Sequence, residues 1–274
     1  MKRNCSDKKT VLITGAAGGM GRAAAKRLAE EGWNVIGLDI RERDEHPAVR
    51  FIRTDLTDPA SVEAAAKQLA SEGIKLDAII NMAGMYDLDS LVEMDEERFL
   101  RIFNVNLFSV YRVNKTFLPL LNENARIMIT SSELAPLDPL PFTGIYAVTK
   151  AAVEKYAYSL RMELQLLGYQ VILLRPGAVK TGLLNVSTKH LDEFCKNTKL
   201  YSCNAERFRR IVNNVEARNI PPEAVAAKTV RILTAKRPRY VYKINRNPLL
   251  LIMNALPDRL QNALIRIILK NRGN

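Results

Sequence analysis

The sequence predicts an α/β fold: a doubly wound parallel sheet of about seven strands with helices on both faces, in a single domain over residues 1–274. Two observations predict this fold. Short apolar, β-branched runs alternate with longer helical patterns along the whole chain. The runs are continuously apolar instead of alternating with polar residues, which indicates strands buried on both faces. No Gly/Ser-rich linker or internal repeat divides the chain.

The predicted strands and helices follow one another in a regular order. The strands are residues 11–14, 34–39, 50–54, 77–81, 126–130, 170–175 and 239–243. The helices are residues 22–31, 59–72, 96–120, 145–167 and 223–235, each long enough for a crossover connection. A sheet built this way is a Rossmann sheet, and its ligands bind beyond the carboxyl ends of the strands. We therefore expect the functional residues to lie just after the strands.

A glycine-rich turn, G-A-A-G-G-M-G over residues 15–21, follows the first predicted strand and leads into a helix. Backbone N–H groups at a helix N-terminus bind a pyrophosphate where no Cβ atom blocks its approach. Gly15, Gly19, Met20 and Gly21 are therefore candidate dinucleotide-binding residues. An ordinary strand-to-helix turn is the alternative interpretation.

Asp39 ends the second predicted strand, 18 residues after Gly21. A carboxylate in this position accepts hydrogen bonds from the adenosine ribose hydroxyls, and it would repel a 2′-phosphate. The residue therefore favours NAD over NADP. Arg41 and Arg43 follow closely, however, and could turn toward such a phosphate.

The turns after the next two strands also offer candidate cofactor contacts. Asp55, next to Leu56, either binds the adenine amino group or holds a turn. Asn81, Ala83 and Gly84 follow the fourth predicted strand and are expected to line the cofactor cleft.

Proton transfer to or from an alcohol oxygen requires an acid or base, and His46 and His190 are expected at the surface. Tyr146 can serve in their place if its pKa falls. Lys150 lies four residues later on the same helix face, where its ammonium group would lower the pKa of the phenol.

A second tyrosine and lysine, Tyr111 and Lys115, have the same spacing. Context separates the two pairs. Tyr146 follows the serine pair 131–132 at a strand end and precedes Arg-Pro-Gly at 175–177, whereas Tyr111 lies in the middle of a predicted helix. We therefore expect Tyr146 to react and Tyr111 to pack.

Six motifs, in this order over roughly residues 9–245, resemble the classical short-chain dehydrogenase/reductase family: TGAAGGMG, NMAG, a helix bearing Asn106, ITSS, YAVTK and RPGAVKT. The resemblance implies roles for the following residues: Tyr146 as general acid/base, Lys150 on the nicotinamide ribose, Ser132 on the substrate oxygen, Asn106 on a relay water, and Pro176, Gly177, Val179 and Thr181 at the nicotinamide end of the cofactor.

Two positions depart from the family pattern. Ser132 lies 14 residues before Tyr146, one more than the commonest spacing. Either residues 133–143 carry an insertion or the two serine roles shift. Ser109 stands where the family often has glycine, which could tilt the helix.

The walls of the substrate pocket are expected from residues 85–86, 134–142 and 183–203, which are largely apolar. Residues 182–220 resemble the family's mobile lid, whose basic side chains either meet an acidic substrate or face water. The apolar and basic tail, residues 246–274, is too interrupted to span a bilayer. It packs over the pocket or another subunit, lies on an anionic membrane, or is largely disordered.

Composition excludes several classes of protein. The net charge is +12, but residues 236–274 hold nine Lys/Arg against one acid, and no nucleic-acid-binding module accompanies them. The three cysteines lack the spacing of a disulfide framework or a zinc site, so no metal is expected. No secretory signal pattern is present at the N-terminus, which predicts a cytoplasmic protein, with peripheral membrane contact through the tail as an alternative.

The sequence thus predicts an NAD-dependent oxidoreductase that interconverts a secondary alcohol and a ketone. A hydrophobic substrate such as a steroid is expected, because the pocket walls are apolar and the tail resembles the steroid and retinol dehydrogenase branch. A polar substrate, either a sugar alcohol or an acyl thioester, is the alternative. A non-catalytic NAD-sensing protein is a further one. The resemblance also implies a homodimer or homotetramer formed through helices 96–120 and 145–167.

Overall fold

The computed structural model describes residues 8–41, 47–216 and 218–270. Within these residues, seven parallel strands form one sheet in the order β3-β2-β1-β4-β5-β6-β7. The strands are Thr10–Thr14 (β1), Asn34–Asp39 (β2), Val49–Arg53 (β3), Leu76–Asn81 (β4), Leu121–Thr130 (β5), Gln170–Pro176 (β6) and Val241–Ile244 (β7). The helices are Gly19–Glu30 (α1), Pro59–Ser71 (α2), Glu96–Phe103 (α3), Ser109–Phe117 (α4), Gly144–Leu164 (α5), Gly182–Asn197 (α6), Ser202–Glu216 (α7), Pro222–Thr234 (α8), Pro248–Asn254 (α9) and Asp258–Leu269 (α10).

Each strand pairs in parallel with its neighbours, and β1 lies near the middle of the sheet. Leu12 of β1 pairs with Ile36 of β2 on one side and with Ile79 of β4 on the other. The strand order reverses between β1 and β4, which opens a crevice beyond their carboxyl ends. The predicted doubly wound Rossmann fold is confirmed.

Two apolar layers cover the sheet. Leu12, Ile79 and Ile127 face a core formed with α2, α4 and α5, while their neighbours Val11 and Ile80 face a core formed with α1 and α8. Successive strand residues point to opposite faces, so burial on both faces requires an uninterrupted apolar run. This explains the pattern from which the sheet was predicted.

The predicted helix over residues 96–120 is not continuous, and that prediction is wrong in detail. A π-helical turn, Asn104–Phe108, separates α3 from α4. The Ser109 hydroxyl donates a hydrogen bond to the Val105 carbonyl at 2.5 Å, a local bond that competes with the regular helical ladder. The departure from the family pattern at Ser109 therefore coincides with a widened turn beside Asn106.

Beyond the carboxyl end of the sheet, α6, α7 and α10 enclose a third apolar cluster. Phe194, Phe208 and Leu269 are buried there. The ring of Phe142 lies 4.8 Å from that of Phe194 between centroids. The tail thus folds as two helices against the domain, and the disordered arrangement is wrong for residues 248–269. In the described residues, no helix is both long and apolar enough to cross a bilayer.

Candidate active site

The carboxyl ends of β1, β4, β5 and β6 border one cleft. The predicted catalytic and cofactor-binding residues that line it are Met20, Gly84, Ser132, Tyr146, Lys150, Pro176, Gly177, Val179 and Thr181. These residues come from five separate parts of the chain. Their convergence follows from the parallel sheet, because the carboxyl ends of its strands lie on one edge.

The glycine turn brings backbone segments closer than side chains would allow. Gly15 has a φ of +69°, and a Cβ atom on Gly21 would lie 2.1 Å from the Gly15 carbonyl oxygen. A Cβ atom on Gly19 would lie 2.5 Å from Thr181 Cγ2. The N-terminus of α1 has no side-chain cap at Gly18, so its N–H groups are available to an anion.

Asp39 lies at the end of β2 and is buried. One oxygen accepts a hydrogen bond from the backbone N–H of Ala17 at 3.0 Å. The other accepts from the backbone N–H of Arg41 at 3.1 Å, with Arg41 Nε 3.4 Å away. The carboxylate therefore braces the glycine turn while holding one arginine close to it. Arg43 lies outside the described residues.

The other candidates from the first half of the chain support the backbone. Asp55 accepts hydrogen bonds from the backbone N–H of Thr57 at 2.8 Å and from its hydroxyl at 2.6 Å, which is a turn role. Leu56 packs against the core. The Asn81 side chain donates to Asn114 Oδ1 at 2.9 Å, and the backbone N–H of Ala83 donates to the Thr14 hydroxyl at 3.2 Å.

The two serines after β5 have different surroundings. Ser132 forms a hydrogen bond with Tyr146 and lines the cleft. Ser131 also borders the cleft, but its hydroxyl donates to Glu154 Oε1 at 2.8 Å. Glu154 also binds the guanidinium group of Arg175 through both oxygens. The extra residue in the 133–143 loop therefore leaves Ser132 beside Tyr146, and Ser131 joins a brace between α5 and β6.

Burial controls the ionisation of Tyr146 and Lys150. Burial raises the pKa of Tyr146 to about 12; the hydrogen bond with Ser132 opposes this change and the charge of Glu133 adds to it. Burial also lowers the pKa of Lys150 to about 8. The Lys150 Nζ atom lies 5.7 Å from the centroid of the Tyr146 ring and donates to the Thr130 carbonyl at 3.4 Å. In the protein alone, then, Tyr146 is a neutral phenol, and the expected fall of its pKa is not present.

Asn106 holds the segment that follows β4 at the edge of the cleft. Its side-chain oxygen accepts from the backbone N–H of Met85 at 2.8 Å, and its amide donates to the Met85 carbonyl and to the Thr149 hydroxyl, each at 3.0 Å. A Cβ atom on Gly84 would lie 3.2 Å from Asn106 Oδ1 and 3.4 Å from Lys150 Nζ. The side chain of Asn106 therefore positions Met85, a role that the sequence did not predict.

The expected substrate walls are only partly at the cleft. Met85, Tyr86 and Leu134 line it, and the rings of Tyr86 and Tyr146 meet edge to face at 4.6 Å between centroids. Phe142 and Phe194 belong instead to the apolar cluster beneath α6 and α7. The side chains of residues 183–189 lie outside the described part.

Several cleft residues were not predicted individually, among them Thr130, Glu133 and Leu250. Glu133 Oε2 accepts a hydrogen bond from the backbone N–H of Asn247 at 2.7 Å, across 114 residues of sequence. Leu250 comes from α9, in the tail that was expected over the pocket or another subunit. The only signal in the sequence for Glu133 was its position, as a charged residue directly after Ser132.

His190 lies in a partly exposed position, and it has a side-chain partner that was not predicted. Its Nδ1 atom lies 3.2 Å from Asp87 Oδ1, and the Asp87 carboxylate also binds Arg98. His46 lies outside the described residues. Among the residues that are described, no group of three or more His, Cys, Asp and Glu side chains is arranged to hold a metal ion.

Comparisons with known proteins agree with this geometry. The family profile described as short chain dehydrogenase matches residues 9–192. A 3-ketodihydrosphingosine reductase of Bacteroides thetaiotaomicron is 29% identical over 263 residues, which span 94% of this chain and 96% of that protein. Estradiol 17-beta-dehydrogenase 2 of Mus musculus is 32% identical over 192 residues, 65% of this chain and 50% of that protein. The structure of a short chain dehydrogenase/reductase from Burkholderia phymatum in complex with NAD superposes with a TM-score of 0.73 at 26% identity, covering 95% of each chain.

Proposed function

The chain belongs to the short-chain dehydrogenase family, and from that premise we propose that it is an NAD(H)-dependent oxidoreductase that interconverts a secondary alcohol and a ketone. Proteins of this family are oxidoreductases that bind nicotinamide cofactors and act on small molecules. One observation carries the proposal. Ser132, Tyr146 and Lys150 line the same cleft as Met20 from the glycine turn.

Three side chains divide the proton chemistry among them. Ser132 donates a hydrogen bond to the substrate oxygen and stabilises the charge that develops on it. Tyr146 gives its proton to that oxygen in reduction and takes it back in oxidation. Lys150 supplies a positive charge that stabilises the phenolate when Tyr146 has lost its proton.

The residues present fit a dinucleotide. The uncapped N-terminus of α1 at Gly18 offers N–H groups to a pyrophosphate, and the bare Cα of Gly21 lets the turn close tightly. At the other end of the cleft, Thr130 Oγ1 is buried with no hydrogen-bond partner among the described residues. Gly15, Gly19, Pro176, Gly177, Val179 and Thr181 would line the remainder of the cofactor site. When bound, NAD⁺ would accept the hydride from the alcohol carbon, and NADH would donate it to the ketone carbon.

Asp39 is the basis for proposing NAD over NADP. Its buried carboxylate at the end of β2 suits ribose hydroxyls and disfavours a 2′-phosphate. Arg41 lies beside it and partly offsets that charge. Asp39→Asn should therefore weaken the preference for NAD⁺ over NADP⁺, which lowers the ratio of the NADP⁺ dissociation constant to that of NAD⁺. Arg41→Ala should strengthen the preference and raise that ratio. Calorimetric titration of both cofactors measures that ratio.

We propose a hydrophobic substrate because Tyr86, Leu134 and Leu250 line the cleft next to Tyr146. Two relatives named above, a 3-ketodihydrosphingosine reductase and an estradiol dehydrogenase, support the same class. A steroid remains the first candidate. A sugar alcohol or an acyl thioester is the alternative, and a non-catalytic NAD sensor would turn over none of these compounds.

Proteins of this family commonly oligomerise, and we propose a homodimer or homotetramer through α4 and α5. Large apolar side chains are exposed on these helices and on the π-helical turn before α4, among them Phe108, Tyr158 and Met162. We also propose a cytoplasmic location, which the free thiols of Cys195 and Cys203 support. Exposed Ile252 and Ile267 on the outer faces of α9 and α10 support peripheral membrane contact as the alternative.

A substrate panel tests the proposal. Purified protein is assayed with NAD⁺/NADH and NADP⁺/NADPH against steroids, 3-ketodihydrosphingosine, sugar alcohols and acyl thioesters. The proposal predicts turnover of a lipophilic alcohol or ketone with NAD(H). Turnover of polyols alone rejects the hydrophobic substrate, and cofactor binding with no turnover of any compound favours the sensor.

A further inference from the structure

Glu133 has no role in the proton transfer proposed above, but its carboxylate side chain lines the cleft beside Ser132 and Tyr146. Only 7% of its surface is exposed. Among the described residues, no Lys or Arg forms an ion pair with it, and Arg246 acts on it only as a more distant charge. Burying a carboxylate without a cation partner is costly, so the position calls for an explanation.

The two oxygens of Glu133 differ in their surroundings. Oε2 accepts the 2.7 Å hydrogen bond from the backbone N–H of Asn247, where α9 begins. Oε1 has no donor among the described residues, and it lies beside Gly177, where a Cβ atom would be only 2.8 Å from it. One oxygen thus anchors the tail, while the other is left for a ligand.

Glu133 lines the same cleft as Ser132, Tyr146 and Lys150. Its charge acts on the phenol and helps to raise the pKa of Tyr146, whereas the pKa of Lys150 is set by burial alone. Lys150 donates a hydrogen bond to the carbonyl of Thr130, the last residue of β5, which borders the cofactor site. A group bound at Glu133 Oε1 would therefore lie in the same cleft as a carbonyl held by Ser132 and Tyr146.

We propose that Glu133 Oε1 is a binding subsite for a protonated amine, and that the substrate is an apolar-chain amino ketone or amino alcohol whose nitrogen lies a few bonds from the reacting carbon. The inference rests on the proposed function, since Ser132 and Tyr146 must hold the carbonyl. An ammonium group compensates the buried charge and donates to the unpaired oxygen. The neighbouring Tyr86, Leu134 and Leu250 accommodate the apolar chain.

The test uses a matched pair of ketones, 1-aminotetradecan-2-one and tetradecan-2-one, with the N-acetyl derivative of the first as a neutral control of similar size. The wild-type protein should prefer the free amine in kcat/KM. Glu133→Gln, which keeps an acceptor for Asn247, should lower that preference about 10- to 100-fold, as expected for a lost hydrogen bond to a charged group. Taking the ratio of the two ketones cancels any effect that both share.

Asn247→Ala is the matched control. The Asn247 side chain caps α9 by accepting from the backbone N–H of Leu249 at 3.0 Å, and its own backbone N–H still reaches Glu133 after the change. This variant loosens the tail without removing the carboxylate, so the amine preference should persist. If Asn247→Ala lowers the preference as much as Glu133→Gln does, Glu133 is an anchor only and the inference is wrong.

A binding measurement separates this inference from the proposed function. Calorimetric titration of the NAD-loaded protein with octylammonium and with octan-1-ol should show tighter binding of the ammonium, lost in Glu133→Gln. If no ketone is reduced but this difference persists, the proposed function fails and the subsite stands. If neutral ketones are reduced and neither assay shows a preference for the amine, the subsite is refuted while the oxidoreductase remains.

Discussion

Two tyrosine–lysine pairs with the same spacing lie on neighbouring helices of this protein. Tyr111 and Lys115 of α4 make the closer contact, with Lys115 Nζ donating to the Tyr111 hydroxyl at 3.2 Å, but Tyr111 is 45% exposed. Tyr146 of α5 has no such bond to Lys150, yet both line the cleft at the strand ends. Contact between a lysine and a tyrosine therefore does not identify a candidate catalytic site. The Tyr146 pair is distinguished by its burial and by its position beyond the carboxyl ends of the strands.

The largest expected effect separates the two tyrosines directly. Tyr146→Phe removes the proton donor and should lower kcat by about 1,000-fold or more, while NAD affinity changes little. Tyr111→Phe removes only a surface hydroxyl and should leave kcat within about 2-fold of wild type. Steady-state kinetics of both variants measure this contrast, and equal losses would contradict the assignment.

The two serines that follow β5 offer a second comparison of neighbouring residues of the same type. Ser132→Ala removes a hydrogen-bond donor to the substrate oxygen and should lower kcat by about 300-fold. Ser131→Ala breaks a bond to Glu154, which remains paired with Arg175, so its effect should appear mainly in thermal stability. Kinetics and melting temperatures of both variants decide between them. A larger kinetic loss for Ser131→Ala would show that the serine roles have shifted.

The two lysine variants should differ less in kcat than the tyrosine and serine variants do. Lys150→Met removes the charge that stabilises the Tyr146 phenolate and should lower kcat by about 100-fold. Lys115→Met loses one exposed contact and should have no measurable effect on turnover. Because oxidation needs the phenolate, the Lys150 loss should be greater for alcohol oxidation than for ketone reduction. The same assays in both directions reveal that asymmetry, and its reversal would contradict the role of Lys150.

The smallest effect concerns pH. The charge of Glu133 raises the pKa of Tyr146, because a nearby negative charge disfavours the phenolate. Glu133→Gln should therefore lower this pKa, and the alkaline limb of the reduction profile, where the phenol ionises, should move to lower pH. The kcat/KM for a neutral ketone measured across pH gives the shift. An unchanged limb, or one at higher pH, would show that Glu133 does not act on Tyr146.

Sequence reasoning works where the fold alone brings residues together. Ser132, Tyr146 and Gly177 each follow strands or begin helices on the same edge of the sheet, so their meeting needs only the strand order. It fails where the meeting depends on how a distant segment packs. Glu133 and Asn247 are joined by the path of the tail, and nothing local in either segment specifies that contact.

The same limit explains two further features that were not predicted. The π-helical turn beside Asn106 depends on one hydroxyl bond from Ser109, which helical periodicity does not show. His190 meets Asp87 because α6 folds back across the cleft end of the sheet, a tertiary contact spanning 103 residues. The sheet, the positions of the catalytic candidates and part of the cleft walls were thus predictable, whereas the tertiary contacts that support the cleft were not.

The most direct test of the central claim is a pH titration of the Tyr146 phenol by NMR, using ζ-¹³C-labelled tyrosine and the Tyr146→Phe spectrum for assignment. In the protein alone, the Tyr146 resonance should titrate only near pH 12, because burial raises its pKa to about 12. Addition of NAD⁺, whose positively charged nicotinamide ring favours a nearby phenolate, should bring the Tyr146 titration to lower pH, and the titration of Tyr111 should not move. A Tyr146 resonance that titrates at the same pH with and without NAD⁺ would contradict the account.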